Sequence, residues 1–460
     1  MHATDDWDPA ADLGAFISDL HYDDVPATAT DAIERAIVDT VGVTLAGMNE
    51  GAGQRALAAA GDSDCRDGVP VVGTDMQTSA AEAAFLTGTS AHTLDYDDYT
   101  YAYPLHPSVA IVPPILSLLG HRDIDGRDAI VAYTAGFETL STLTAPISSS
   151  HYQTGWHATG TFGVFAAAAT AASLLDLAPA EIQHALHIAA STASGLRRNF
   201  GTDTKPMHAG QASRSGVTAA LLAEQEFSAE AHALTGEGGF YDLYCGRDEL
   251  DLDAVPTFGE PFGTVREGVN TKLYPSCGAT HSSISAVSKL VETAGIAPET
   301  IDSITVEIAP FGRDALRYTR PETGAEAKFS LEHCVAAAAC LDRVGLDAFE
   351  NNQVERKDVH ALRERVDVAY DDFLAYNDHR STVTVVTTDG QRHTETVPHP
   401  PGTPANPLSA DELRTKFREC AIRRLSGSAV SELYENLQTL RDADSLKAAL
   451  APSLGLDGDC

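Results

Sequence analysis

Apolar positions recur at helical spacing through most of the chain before Gly268. Between Ala29 and Gly47, the residues Ala32, Ile33, Ala36, Ile37, Val41 and Val43 share one face at a period of about 3.6 residues, which predicts a helix. The stretches 79–95, 108–120, 125–143, 159–177, 179–195 and 210–227 also read as helix. Several are dense in Ala, Gly, Ser and Thr. Small side chains let helix backbones approach closely, so these stretches are expected to pack helix on helix in a compact core. Polar residues interrupt each of them, and no run of about 18 apolar residues occurs, which argues against a membrane span.

The texture changes near Gly268. Ile301 to Pro310 alternates apolar and polar residues, as a half-buried strand does. The run around Val366 offers a second strand. In 381–397 two β-rich runs flank Asp389 and Gly390, a pair that favours a tight hairpin turn. Helical patterns at 280–295 and 328–342 lie among these strands. The stretch Val397 to Ser409 holds five prolines and breaks regular structure. The fold class expected is mainly α. Residues 1–267 form the first part of a large all-helical domain, 268–400 a smaller α+β unit, and 401–460 a helical tail.

Charge narrows the function. The chain carries 66 acidic residues against 31 Lys and Arg, a formal net charge of −35. No basic stripe accompanies it, which argues against nucleic acid and against an anionic membrane surface as partners. The acid excess runs from end to end and reads as a surface property. Such a surface suits a salt-loving source; an ordinary acidic cytosolic enzyme is the plainer alternative. The acidic start lacks the basic and apolar regions of a secretory leader. Cys65, Cys245, Cys277, Cys334, Cys340, Cys420 and Cys460 are scattered, with no C-x-x-C pair. That argues against a disulfide framework, a zinc ribbon or an iron–sulfur cluster, and favours a reducing cytoplasm.

Four stretches share one grammar: a His or Lys in a loop just before a small-residue helix. His106 precedes Pro107 at a helix start. His157 stands two residues before Thr159, a candidate N-cap. Lys205 and His208 precede the next helix, and Lys272, Cys277 and His281 surround another helix start. Helix N-termini offer unpaired N–H groups and a positive dipole end, so cations added there make a site for carboxylates or phosphates. Lysine is scarce, with only seven in the chain, and Lys205 and Lys272 are two of them. A role that needs a primary ammonium fits both, while chance placement is the plain alternative.

Each feature has a plain reading too. His106 and His157 read equally as ordinary satisfied histidines. Asp95, Asp97 and Asp98 read as solvated surface or as a metal site, although the calcium-loop pattern fails for want of its glycine. Cys277 reads as an inert thiol more readily than as a nucleophile. Residue chemistry thus leads to a mostly helical, metal-free cytosolic enzyme acting on a small polyanionic acid by proton transfer.

The motifs H-x-L-D-Y-D-D with HPS, GWH-x-TGTFG, GT-x-TKP-x-HAG and K-x-YP-x-C-x-ATH, in that order, resemble the MmgE/PrpD family. KFSLEHCVAAAACLDRVGLDAF extends the resemblance, which runs from about Ala29 to beyond Leu346. The family includes 2-methylcitrate dehydratase, cis-aconitate decarboxylase and iminodisuccinate epimerase. The resemblance implies that the helical domain and tail join, with an α+β lid over a site between them. It also implies a homodimer that uses no metal or organic cofactor. Carried over by motif, Asp95, His106, His157, Lys205, Lys272 and Tyr318 are the expected catalytic residues. His208, Cys277, His281 and Tyr99 are expected to contact the substrate. Cys277 stands where the decarboxylase has a histidine, and the loop before His106 is one residue longer than in that enzyme, which unsettles the match of Tyr99. The activity expected is dehydration of 2-methylcitrate, with His106 and His157 as base and acid in either order. Asp95 orients one of them or is itself the base, and Tyr318 donates a proton or closes the lid. Decarboxylation and epimerisation use the same parts, and a non-catalytic carboxylate-binding protein is the alternative of another class.

Overall fold

The computed structural model describes residues 7–61 and 68–455. Cys65, Cys460 and the first six residues of the acidic start lie outside them. The first apolar stripe forms the helix Ala27–Gly47. At the centre, the helix Thr204–Glu224 packs against Ala80–His92, Gly163–Leu174, Pro179–Ala190 and Ser108–Ser117. It touches several neighbours because small residues line several of its sides. At Gly216 a Cβ would lie 2.4 Å from the Cβ of Ala167, so any side chain there would drive the two helices apart.

The C-terminal helices Ala410–Ala421 and Gly427–Gln438 fold back onto Ala27–Gly47. Leu413, Phe417, Leu433 and Leu437 thereby enter the same apolar core as Ile33, Ile37 and Phe165.

A second core lies under a four-stranded sheet. Its spatial order is Val366–Tyr370, Ile301–Ile308, Ser381–Thr387 and Arg392–Val397. The first pair is parallel and the other two are antiparallel. Alternation sorts the faces: Ile304, Val306 and Ile308 are buried, while Thr305 and Glu307 are exposed. The helices His281–Ala294 and Leu331–Cys340 join the buried face through Val287 and Val335. Gly390, with φ +85°, turns the hairpin between the last two strands. Between the cores, Tyr99 exchanges backbone hydrogen bonds with Asn270, at 3.1 and 2.9 Å. Beside that bridge Tyr152, Phe200, Cys277, Phe311 and Phe329 form a small apolar cluster.

Candidate active site

The chain between Ala80–His92 and Ser108–Ser117 is irregular yet buried. The acidic run within it is not solvated surface: Asp95 is 3% exposed, and Asp97 and Asp98 are fully buried. Asp95 adopts φ +52°, a left-handed conformation uncommon for a residue with a side chain. Buried ammonium groups converge on this turn. Lys205 Nζ donates to Asp95 Oδ1 at 2.5 Å. Lys272 Nζ donates to the Asp95 carbonyl at 2.8 Å and lies 3.2 Å from Oδ1. Lys328 donates to the carbonyl of Leu94, and to that of Pro275 at 3.1 Å. Lys416 donates to the carbonyl of Tyr96 at 2.7 Å and pairs with Asp39 at 2.6 Å. Three consecutive carbonyls thus each accept from an ammonium drawn from a different part of the chain. Burial alone would raise the Asp95 carboxyl, but the ammoniums of Lys205 and Lys272 hold it well below the usual carboxylate range.

Asp97 organises two histidines. Its Oδ2 lies 2.9 Å from Nδ1 of His92 and 2.7 Å from Nδ1 of His106. The carbonyl of Asp98 is 2.9 Å from the same His106 nitrogen. Facing two acceptors, His106 Nδ1 carries the proton, and the neutral ring leaves Nε2 bare. Burial lowers the pKa of His106; Asp97 opposes this, and Lys272 and Lys205 add to it. Burial likewise takes His92 down to about 3, so both rings are neutral.

Asp98 caps the helix Ser108–Ser117: the Ser108 N–H donates to Oδ1 at 3.1 Å and its hydroxyl donates to Oδ2. This helix start, expected to receive an external anion, already holds an internal carboxyl. Burial raises that group to about 8.

His157 precedes the short helix Ala158–Thr161. Thr159, expected as an N-cap, instead accepts the backbone N–H of His106 at 3.1 Å and ties the two histidine loops together. His157 Nδ1 meets His208 Nδ1 at 3.0 Å. Burial lowers both pKa values, with His208 at about 4, so two neutral rings share one Nδ1 proton. His157 Nε2 is buried with no partner among the described residues.

Asp95, His106, His157 and Lys205 line one cavity of about 40 Å³ with Tyr99, Tyr101, Cys277 and His379. That is room for a few waters, so the polyanionic acid expected from the sequence would enter only if the walls part. Of the other expected residues, Lys272 reaches the site through Asp95, and His208 through His157. His281 is fully buried outside the cavity lining, with Nε2 3.3 Å from the Ser276 carbonyl. Tyr318 also lies outside the lining and donates to the Phe200 carbonyl at 2.8 Å. Its ring covers Gly201, where φ is +85° and a Cβ would sit 2.5 Å from the hydroxyl.

Cys277 faces the cavity, but burial and the nearby Asp95 charge push its thiol up to about 11. It should therefore resist iodoacetamide at pH 7.5 in the folded protein, with the modified peptides read by mass spectrometry; rapid alkylation there would contradict this assignment.

Sequence reasoning missed His92, the pairing role of Asp97, Lys328, Lys416 and His379. His379 arrives on the loop after Val366–Tyr370, which carries no periodic signal. Lysine scarcity was a usable signal for Lys328 and Lys416. Ligand atoms of His92, Asp95, Asp97 and His106 lie within 4.8 Å of one another, a possible metal constellation by distance. Asp95 Oδ1 already faces two ammoniums and Asp97 Oδ2 two imidazole nitrogens, while Asp95 Oδ2, Asp97 Oδ1 and His92 Nε2 have no partner among the described residues; the ammonium charges oppose a cation there.

Two family models match the chain: the MmgE/PrpD N-terminal domain over residues 11–253 and the MmgE/PrpD C-terminal domain over residues 274–439. Human cis-aconitate decarboxylase is 27% identical over 82% of this chain and 80% of its own. A cis-aconitate decarboxylase-like protein of Aspergillus oryzae is 26% identical over 98% and 99%. The 2-methylcitrate dehydratase of Escherichia coli is 25% identical over 82% of each.

Proposed function

The chain belongs to the MmgE/PrpD family, and from that premise we propose that it is a lyase acting on a small tricarboxylic acid, by dehydration of a β-hydroxy substrate such as 2-methylcitrate. The observation that carries this reading is the pair of neutral histidines beside one carboxylate-ready cavity, wired differently at Nδ1. Elimination of water needs a base for the proton next to a carboxylate and an acid for the leaving hydroxyl.

His106, with Nδ1–H held by Asp97, offers its Nε2 lone pair as the base. The same Asp97 charge stabilises the imidazolium once the proton has arrived. His157 is the acid. A bound polycarboxylate favours one added proton on the His157–His208 pair, and His157 Nε2 gives that proton to the leaving hydroxyl. The pair returns to neutral, with Nδ1–H of His157 still donating to His208. Lys205 faces the cavity as a point charge for a carboxylate and for the charge that develops beside it. Asp95 holds Lys205 in place, and Lys272 fixes Asp95.

Decarboxylation is the second reading, favoured by the relatives named cis-aconitate decarboxylase. The experiment is turnover by the purified protein, in concentrated potassium chloride, of 2-methylcitrate and of cis-aconitate separately. Rising ultraviolet absorbance from a new conjugated acid is expected with the first. Carbon dioxide release from the second without any absorbance change in the first would replace dehydration by decarboxylation.

A further inference from the structure

Lys328 differs from the other buried lysines in its charge balance. Lys205 and Lys272 pair with Asp95, and Lys416 pairs with Asp39. Lys328 is 9% exposed and has only two carbonyl oxygens as hydrogen-bond acceptors, with no carboxylate partner among the described residues. An ammonium has three donors, so one N–H is unspent. A buried cation with no carboxylate in contact is costly unless an anion joins it.

Lys328 lines a cleft of about 780 Å³. His92 lines it too, but its neutral ring gives Nδ1–H to Asp97 and leaves Nε2 as an acceptor, so Lys328 is the group that would meet an anion there. The cleft and the small cavity share Asp95, Lys205 and Phe329 as walls. A ligand reacting at His106 and His157 thus has this cleft as its neighbour space. The small cavity cannot hold a polycarboxylate whole, while the cleft has ample room.

We propose that Lys328 forms a carboxylate subsite in this cleft that binds a remote carboxylate of the substrate while the reacting carbon faces His106 and His157. A carboxylate there completes the third ammonium bond and supplies a counter-charge in direct contact. The inference rests on the polycarboxylate reading above and deepens it. It makes substrates with a third carboxylate preferred through binding rather than through chemistry.

Two inert ligands separate this from the lyase reading, since neither has a hydroxyl to lose. Propane-1,2,3-tricarboxylate carries the remote carboxylate and succinate lacks it. Calorimetry on the full chain should find the tricarboxylate tighter in the wild type. Lys328→Gln should weaken it by about 10- to 100-fold and leave succinate within about threefold. The tricarboxylate should also displace succinate. An undiminished tricarboxylate advantage in the variant, or simultaneous binding of both ligands, overturns the subsite.

If Lys328→Gln fails to fold, the wild type still decides the matter. Burial takes Lys328 down to about 8; Asp95 and Glu50 oppose this, and Lys272 and Lys205 add to it. The other charged groups lining the cleft are Glu326 on the adjoining short helix, Glu50, Glu350, Asp203, Arg55 and Arg423, and His92 stays neutral. Asp98 ionises near the same pH and weakens both ligands alike. From pH 7 to 9.5 the tricarboxylate should therefore lose affinity relative to succinate. A constant ratio overturns the proposal. Absence of turnover alongside a Lys328-dependent ratio would sink the lyase reading and leave the subsite standing.

Discussion

Asp97→Asn should lower kcat/KM by about 10³-fold or more, the range seen when an orienting carboxylate is replaced by an amide that allows the wrong histidine tautomer. Asp97 accepts from Nδ1 of both His92 and His106. An amide is uncharged, and turned with its NH2 at the Oδ2 place it meets both rings as a donor, so the Nδ1–H tautomer is no longer enforced. The ring of His106 is then free to carry its proton on Nε2, where a base needs a lone pair. The pH profile separates this from simple damage. Asp97 raises the His106 pKa against the lowering by burial. With that charge gone the free-enzyme pKa falls, so the acid limb of kcat/KM should move to lower pH while the maximum drops. Loss of stability should stay near 1–3 kcal/mol, the cost of leaving a buried polar group unpaired. A rate within tenfold of wild type and an unmoved acid limb would remove Asp97 from the orientation of His106.

The helices were legible because their apolar faces repeat at helical spacing, as from Ala32 to Val43. The sheet was legible because Ile304, Val306 and Ile308 alternate with polar neighbours. The segment from Leu94 to His106 has neither period. Its backbone is buried on the strength of side chains from elsewhere in the chain: Lys272, Lys328 and Lys416 satisfy carbonyls that no helix or strand could pair. No local pattern announces a turn stabilised by groups up to 320 positions away.

The candidate residues came from motif resemblance, and chemistry alone had misread part of the same run. Acidic residues in a chain of net charge −35 read as solvated surface or as a metal site. Yet Asp95, Asp97 and Asp98 are buried, each with a different kind of donor: ammonium, imidazole and hydroxyl. Lysine scarcity pointed the right way but was applied only to loops before helices. Four of the seven lysines, Lys205, Lys272, Lys328 and Lys416, are buried around one turn. Exposed positive charge is mostly arginine here, so a lysine in this chain marks a place where a compact ammonium with three donors is required.

Asp95→Ala should destabilise the protein more than the double variant Asp95→Ala, Lys205→Met does. The single change leaves Lys205 and Lys272 buried beside each other without their shared counter-charge, and breaking a buried pair from one side costs about 3–5 kcal/mol. Removing Lys205 as well takes away one of the two stranded charges and puts an apolar chain in its place. Urea unfolding of wild type, both single variants and the double variant closes the cycle; additive losses would mean that Asp95 does not hold the two ammoniums. Salt gives an independent check. A surface pair fades in concentrated potassium chloride, whereas a pair this deeply buried is hardly screened, so the gap between wild type and Asp95→Ala should persist there. Acid gives another. The carboxyl of Asp95 is depressed, so its contribution is present above the ordinary carboxyl range near about pH 4 and is lost only as pH falls through the lowered value. The gap should therefore stay open through mild acid, and closure already at pH 5 would place the stabilising charge on some other group.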